Sequence, residues 1–256
     1  MTDSHNTIDD RIQQLFSVGA HIGYSKSHRH PTMMPFIYGS KDSREIIDLE
    51  ETITKLDAVT NSLVDVIKNG KHVFFVGGKK EAHDAVVTNA QELGMPYVAG
   101  RWIGGTLSNF KQIRRQVDKL QSLRTQKEKG ELTKYTKREQ LSFDREIDDL
   151  SRYYEGLIPM EHIPGALFVI DPKQERIAVH EAMVRNIPVY ALANTDCDVR
   201  EVTDVIPAND NSKATIDMIF SMMVPALADV HVQSDTSPES ADIKKKKKPA
   251  TETAKA

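Results

Sequence analysis

Apolar positions along this chain alternate between two periods. Compact apolar runs that read as strands lie at His72–Val76, Pro96–Ala99, Ala166–Ile170, Val189–Ala193 and Val205–Ile206. Between them the apolar residues recur at helical spacing. Ile53, Leu56, Val59, Leu63 and Val66/Ile67 predict a helix over Glu50–Lys68, closed by Asn69-Gly70. Further helices follow at Glu81–Leu93, Gln174–Arg185 and Ser212–Ala228, the last carrying Ile216, Ile219, Phe220, Met223 and Leu227. Wholly apolar strands alternating with amphipathic helices imply a parallel sheet covered on both faces, an α/β three-layer sandwich.

The pattern changes in three places. Near the start, Asp9–Val18 reads as a short amphipathic helix and His21–Pro35 as irregular chain. Phe36–Tyr38 and Glu45–Leu49 read as two short strands around the polar turn Gly39–Ser43. In the middle, Phe110, Ile113, Val117 and Leu120 run at 3-4-3 spacing, and Phe143, Ile147, Leu150 and Tyr154 return at 4-3-4. With a turn at Lys129-Gly130-Glu131, these legs predict an antiparallel coiled-coil hairpin with a narrow apolar seam. From Gln233 onward the chain is Ser, Asp, Thr, Pro, Glu, Lys and Ala, ending in a Lys-rich tail expected to be disordered. The expected organisation is therefore a split α/β body at 1–106 and 157–232, a hairpin insertion at 107–156 and a tail at 233–256.

Composition narrows the function classes. The 256 residues carry a net charge of −3, and the longest apolar runs are too short to span a bilayer. The first ten residues lack the basic and apolar regions of a secretory signal, and a single cysteine, Cys197, fits a reducing cytoplasm. Charge is unevenly placed. From Arg101 to Arg138 there are 11 Lys and Arg against three acids, whereas Glu139 to Glu155 holds two bases and six acids. A basic leg beside an acidic one is partly self-neutralising, yet the hairpin keeps a positive excess suited to a polyanion.

Candidate sites follow from position. Gly77-Gly78-Lys79-Lys80 joins a buried strand to a helix, where α/β proteins hold phosphates, but it lacks the Walker spacing and the three-glycine dinucleotide fingerprint. It reads as an RNA-phosphate contact through Lys79 and Lys80, or as a plain turn with solvated lysines. Arg101-Trp102-Ile103-Gly104-Gly105-Thr106 follows a strand's C-terminal end. Arg101 can bind phosphate there, and Trp102 can stack on a base or fill the joint between body and hairpin. Lys111, Arg114, Arg115, Lys119, Arg124 and Lys127 are further phosphate contacts on the outgoing leg. His21, His28, His30 and Cys197 match no metal spacing, and Asp171, Asp196 and Asp198 read as caps. No nucleophile–base pair is evident, so neither catalysis nor a cofactor is expected.

Several ordered segments together resemble one family. They are Gly19-Ala20-His21-Ile22-Gly23, Pro31-Thr32-Met33-Met34-Pro35-Phe36-Ile37-Tyr38, Ile46-Ile47-Asp48-Leu49, Val76-Gly77-Gly78-Lys79-Lys80-Glu81-Ala82 and Arg101-Trp102-Ile103-Gly104-Gly105-Thr106-Leu107-Ser108-Asn109-Phe110. Phe168-Val169-Ile170-Asp171-Pro172, Ile187-Pro188-Val189, Asn194-Thr195-Asp196-Cys197-Asp198 and Ile206-Pro207-Ala208-Asn209-Asp210 complete the set. The chain is similar to the bacterial small-subunit ribosomal protein S2 family. Tyr24 stands where the family usually has His, Arg29 where Trp is common, Lys41–Arg44 in place of an Asn-Gly turn, and Ala208 in place of Gly. The resemblance implies a flavodoxin-like sheet, a non-enzymatic role and binding to small-subunit rRNA between head and body. It also implies neighbouring ribosomal proteins as partners and help in docking the mRNA-binding ribosomal protein S1.

Overall fold

The computed structural model describes residues 3–235, with side chains from 8 to 230. Five strands form a parallel sheet: β4 (Val73–Val76), β5 (Tyr97–Val98), β6 (Ala166–Ile170), β7 (Val189–Ala193) and β8 (Asp204–Pro207). They lie in the order β5-β4-β6-β7-β8. Every residue of β4, β6 and β7 is buried, as their uninterrupted apolar runs require. The chain leaves β4 toward the β5 edge and then returns to β6 on the other side. The sheet's switch point therefore falls between β4 and β6, where open α/β sheets place their ligands.

One face of the sheet is covered by α2 (Leu49–Lys68), α3 (Lys80–Glu92) and α7 (Lys213–Asp235). Phe75, Phe168 and Phe220 meet there with ring centroids 5.7–5.9 Å apart. The other face packs Phe74, Val76, Leu167 and Val169 against α6 (Arg176–Val184) and against Trp102, Leu107, Ile113, Val117 and Leu157. Those last residues open and close the insertion. The hairpin's root is thus part of the body's second core, substituting for a covering helix.

The hairpin consists of α4 (Phe110–Glu128) and α5 (Lys137–Tyr154). Leu120, Leu123 and Ile147 are buried between them, with Phe143, Leu150 and Tyr154 alongside. Gly130 at φ +71° ends α4 in the left-handed conformation that favours glycine. Thr136 and Glu139 then start α5 with a reciprocal capping box.

At the amino end, α1 (Asp3–Ser17) leads into a three-stranded antiparallel sheet of β1 (Ile22–Ser25), β2 (Ile37–Lys41) and β3 (Arg44–Ile47). The stretch expected to be irregular therefore contains β1 and a 3-10 helix, Pro31–Phe36. β1 has no alternating pattern of its own; its pairing with β3 supplies the order. The tail expected from 233 on lies outside the described residues, except that α7 reaches Asp235.

Candidate nucleic-acid interface

The C-terminal edge of the sheet is occupied by the protein's own side chains. Lys79 caps the start of α3, and its ammonium lies 2.7 Å from Asp171 Oδ2, 2.6 Å from Asp210 Oδ2 and 3.0 Å from Asn211 Oδ1. Asn194 Nδ2 donates to the other Asp210 oxygen at 3.0 Å, and Tyr24 Oη donates to Asn211 Oδ1 at 3.1 Å. Asp210 is fully buried and the Lys79 side chain is 10% exposed. Burial works against the Lys79 charge, but Asp210 and Asp171 outweigh it and hold the ammonium protonated well above the usual lysine range. Where a nucleotide enzyme keeps an open anion cradle, this chain has inserted carboxylates. Lys79 is an internal tie, so its charge is not presented to a phosphate; Lys80, one residue on, is exposed.

Asp171 also accepts from the Lys173 and Gln174 backbone N–H groups, as a cap does. Cys197 is buried with its sulfur 3.7 Å from carboxylate oxygens of Asp171 and Asp196. Burial, then the nearby carboxylates, push its thiol far up, which removes it as a nucleophile. His30 and Asp198 cap short 3-10 helices, and among the described residues no group of three or more His, Cys, Asp or Glu could hold a metal ion.

Glu175 sits at the switch point, 5% exposed, beside a cavity of about 300 Å³ lined also by Gly78, Gly100 and Arg101. Burial pushes its carboxyl up to about 7, opposed by the Gly78 N–H and reinforced by the charge on Asp171. A Cβ at Gly78 would overlap the Glu175 carboxylate, which explains why glycine stands there.

Trp102 fills the joint. It is 6% exposed, packs 5.5 Å from Phe74, and donates from Nε1 to Glu181 Oε1 at 3.2 Å. Of the two expected roles, this geometry favours filling the joint, with only an edge of the ring lining the cavity beside Glu175. Glu181 was not singled out by sequence reasoning, yet it organises the whole turn. Its carboxylate also accepts from the N–H of Gly105 (2.7 Å), Leu107 (2.9 Å) and Ser108 (3.0 Å), and from Ser108 Oγ (3.1 Å). Burial disfavours the charge, but the Ser108, Gly105 and Leu107 N–H groups hold the carboxyl below its ordinary value. No local signal marks Glu181, because it stands 79 residues from Trp102.

The hairpin cations divide into two groups. Arg114 pairs with Asp118 at 3.0 Å and donates to the Met160 carbonyl at 3.2 Å. Lys119 pairs with Glu146, Arg124 with Glu155 at 3.1 Å, and Lys127 with Asp144 at 2.7 Å, all across the hairpin. The self-neutralising arrangement of the two legs thus holds for these last three, while Arg114 is paired within its own helix. Arg101 and Lys111 are exposed and carry no ion pair among the described residues, and Arg115 contacts only Gln112. The tip residues Lys129, Lys134, Lys137 and Arg138 are likewise exposed and without an ion pair among the described residues.

An enzyme-like sheet with its ligand edge filled, joined to a hairpin that carries unneutralised cations, describes a scaffold whose exposed charge suits a polyanionic surface. The comparisons give that class its family. The Ribosomal protein S2 family model matches residues 15–229, and this chain belongs to that family. It is 39% identical over 215 residues to the small ribosomal subunit protein uS2 of Sorangium cellulosum, covering 84% of this chain and 77% of that one. Against the uS2 of Geotalea uraniireducens it is 36% identical over 231 residues, with 88% and 90% covered. Against that of Dichelobacter nodosus the identity is 40% over 205 residues, with 80% and 77% covered. No described helix is long and apolar enough to cross a membrane.

Proposed function

We propose that this protein is a structural constituent of the small ribosomal subunit that binds rRNA through cations at the hairpin root and tip. The observation that carries this reading is the family match over most of the chain. The geometry adds which charges are available: Lys80, Arg101, Lys111 and Arg115 near the root, and Lys129, Lys134, Lys137 and Arg138 at the tip. Phosphate contacts of this kind give salt-dependent affinity with little readout of sequence, and the shape of the α/β body against folded RNA supplies selectivity. Lys79, Trp102, Arg114 and the cross-paired Lys119, Arg124 and Lys127 serve chiefly to hold the presenting surface in shape. Following the family resemblance, the subunit-bound protein sits between head and body and helps dock the mRNA-binding ribosomal protein S1.

The test is co-sedimentation with small subunits across a salt series, alongside binding to isolated rRNA domains. Affinity should fall steeply as salt rises. Binding that stays flat with salt, or a protein that remains at the top of the gradient at moderate salt, overturns the reading.

A further inference from the structure

Beside the sheet's β5 edge lies a cleft of about 430 Å³ that no part of the fold uses. One wall is α3, with His83, Val87 and Gln91; the other is the end of α5, with Ser151, Arg152 and Tyr153. Val98 to Arg101 form its floor. The size falls within the range of small-molecule sites, about 300–1,000 Å³. Gly156 closes one end against the Tyr97 carbonyl, where a Cβ would collide. The body and the hairpin thus meet at fixed distance around this space.

Its chemistry is specific. Arg101 enters from the body and Arg152 from the hairpin, both exposed and without an ion pair among the described residues. The acid that lines the cleft, Glu155, is engaged by Arg124 at 3.1 Å, so its charge offsets neither arginine. Tyr153 is 41% exposed, and the Arg152 guanidinium lies 5.7 Å from its ring centre. Two guanidinium groups without an ion pair, beside a partly exposed aromatic ring that carries Arg152 over one face, suit a phosphate joined to a flat, apolar-faced ring stacked on the other. Trp102 does not line this cleft and is only 6% exposed.

We infer that this cleft receives an unpaired, splayed-out nucleotide of an RNA strand, its base on Tyr153 and its phosphates between Arg101 and Arg152. This rests on the rRNA-binding reading and gives it a single-stranded component that phosphate contacts along the hairpin do not supply. A duplex cannot occupy the cleft, because its bases remain stacked inside the helix.

The experiment compares a short single-stranded oligouridylate with an RNA duplex of equal length, both titrated into the full chain by fluorescence anisotropy. Tyr153→Ala should weaken the single strand about five- to hundred-fold and leave the duplex unchanged within about two-fold. Tyr153→Phe keeps the ring and should restore binding. Arg101→Gln should weaken both RNAs, because phosphates are common to them. Ultraviolet crosslinking of assembled subunits should place a nucleotide on the peptide containing Tyr153. If Tyr153→Ala, folded by circular dichroism, treats both RNAs alike, or if only protein neighbours crosslink to the cleft, the cleft assignment falls and rRNA binding stands. If the wild-type chain binds neither RNA nor subunits, the functional reading itself falls.

Discussion

Five donors converge on the Glu181 carboxylate, and at least two of them, the Leu107 and Ser108 N–H groups, reach the same oxygen. Glutamine at 181 would turn an amide N–H toward donors and strand them in a buried turn. Leaving such groups unpaired costs about 2–3 kcal/mol, which for a chain of this size lowers Tm by roughly 5–10 °C. Because Trp102 is the single tryptophan, its emission reports on this turn directly. Glu181→Gln should shift that emission to the red before global unfolding. An unchanged spectrum and melting curve would show that the clamp contributes nothing. Glu175 supplies the pH dependence. Its folded-state value is raised from 4.5 to about 7, so between those pH values the folded chain holds a proton that the unfolded chain has released. Its contribution to stability is complete below about pH 4.5 and is lost as pH rises through about 7. Urea titrations of wild type and Glu175→Gln at pH 5 and pH 8 should therefore differ in their pH response by roughly 2–3 kcal/mol. The glutamine variant should be the less sensitive to alkali. Equal responses would place the carboxyl in water.

At the scale of elements, the hairpin's two classes of cation make opposite predictions. Replacing Lys111 and Arg115 by Gln removes charges that carry no ion pair among the described residues, and should reduce the slope of log K against log salt for rRNA binding by about 2. Replacing Lys119 and Lys127 removes charges already set against Glu146 and Asp144, and should reduce it by less than about 1, with little change in stability because exposed pairs are screened by solvent. Equal slopes for the two doubles would mean that the cross-hairpin pairs open on RNA. The same contrast shows what was legible in the chain. The strands β6 and β7 coincide with their apolar runs because burial on both faces leaves no polar position, and α4 and α5 were visible in their 3-4 spacing. The capping box of Thr136 and Glu139 that starts α5 was not among those signals, although both residues are local to it. The clamp at Glu181, the tie of Lys79 to Asp210 and the fate of each hairpin lysine were not legible. Each depends on which distant residue the fold brings alongside: Lys79 and Asn211 are 132 apart. A run of like charges shows sign and density, and says nothing of distance to an opposite charge. Arg29 is a further case: from the loop after β1 it meets the buried Glu45 of β3 at 3.1 Å.

For the whole molecule, the decisive relation is that the projection and the body share a core. Leu107, Ile113, Val117 and Leu157 pack with Trp102, Phe74 and Val76 on one face of the sheet, whereas Leu120, Leu123 and Ile147 form a separate cluster farther out. Residues 107–156 therefore share buried contacts with the body, whereas the outer part of the hairpin packs on itself. Excising 125–149 and closing the gap with a short glycine-rich loop should leave the body folded, because every buried residue of the second core remains and the Arg124–Glu155 pair is kept. The Tm of the sheet should change by no more than a few degrees. Removing 107–156 instead strips the cover from Phe74, Val76 and Trp102, and exposing buried side chains of that size costs about 1.5–3 kcal/mol each. Since domains are stable by only about 5–15 kcal/mol, that product should be recovered as an aggregate without a cooperative transition. The short-hairpin protein also separates root from tip in RNA binding. It retains Arg101, Lys111, Arg115 and Arg152, and lacks Lys129, Lys134, Lys137 and Arg138. Its oligouridylate affinity should match wild type, since the cleft at the root is intact, while its affinity for the rRNA domain and the accompanying salt slope should both fall. A short-hairpin protein that fails to fold, or one whose rRNA affinity and salt slope equal those of the full chain, would show that the outer hairpin has a different part in the molecule.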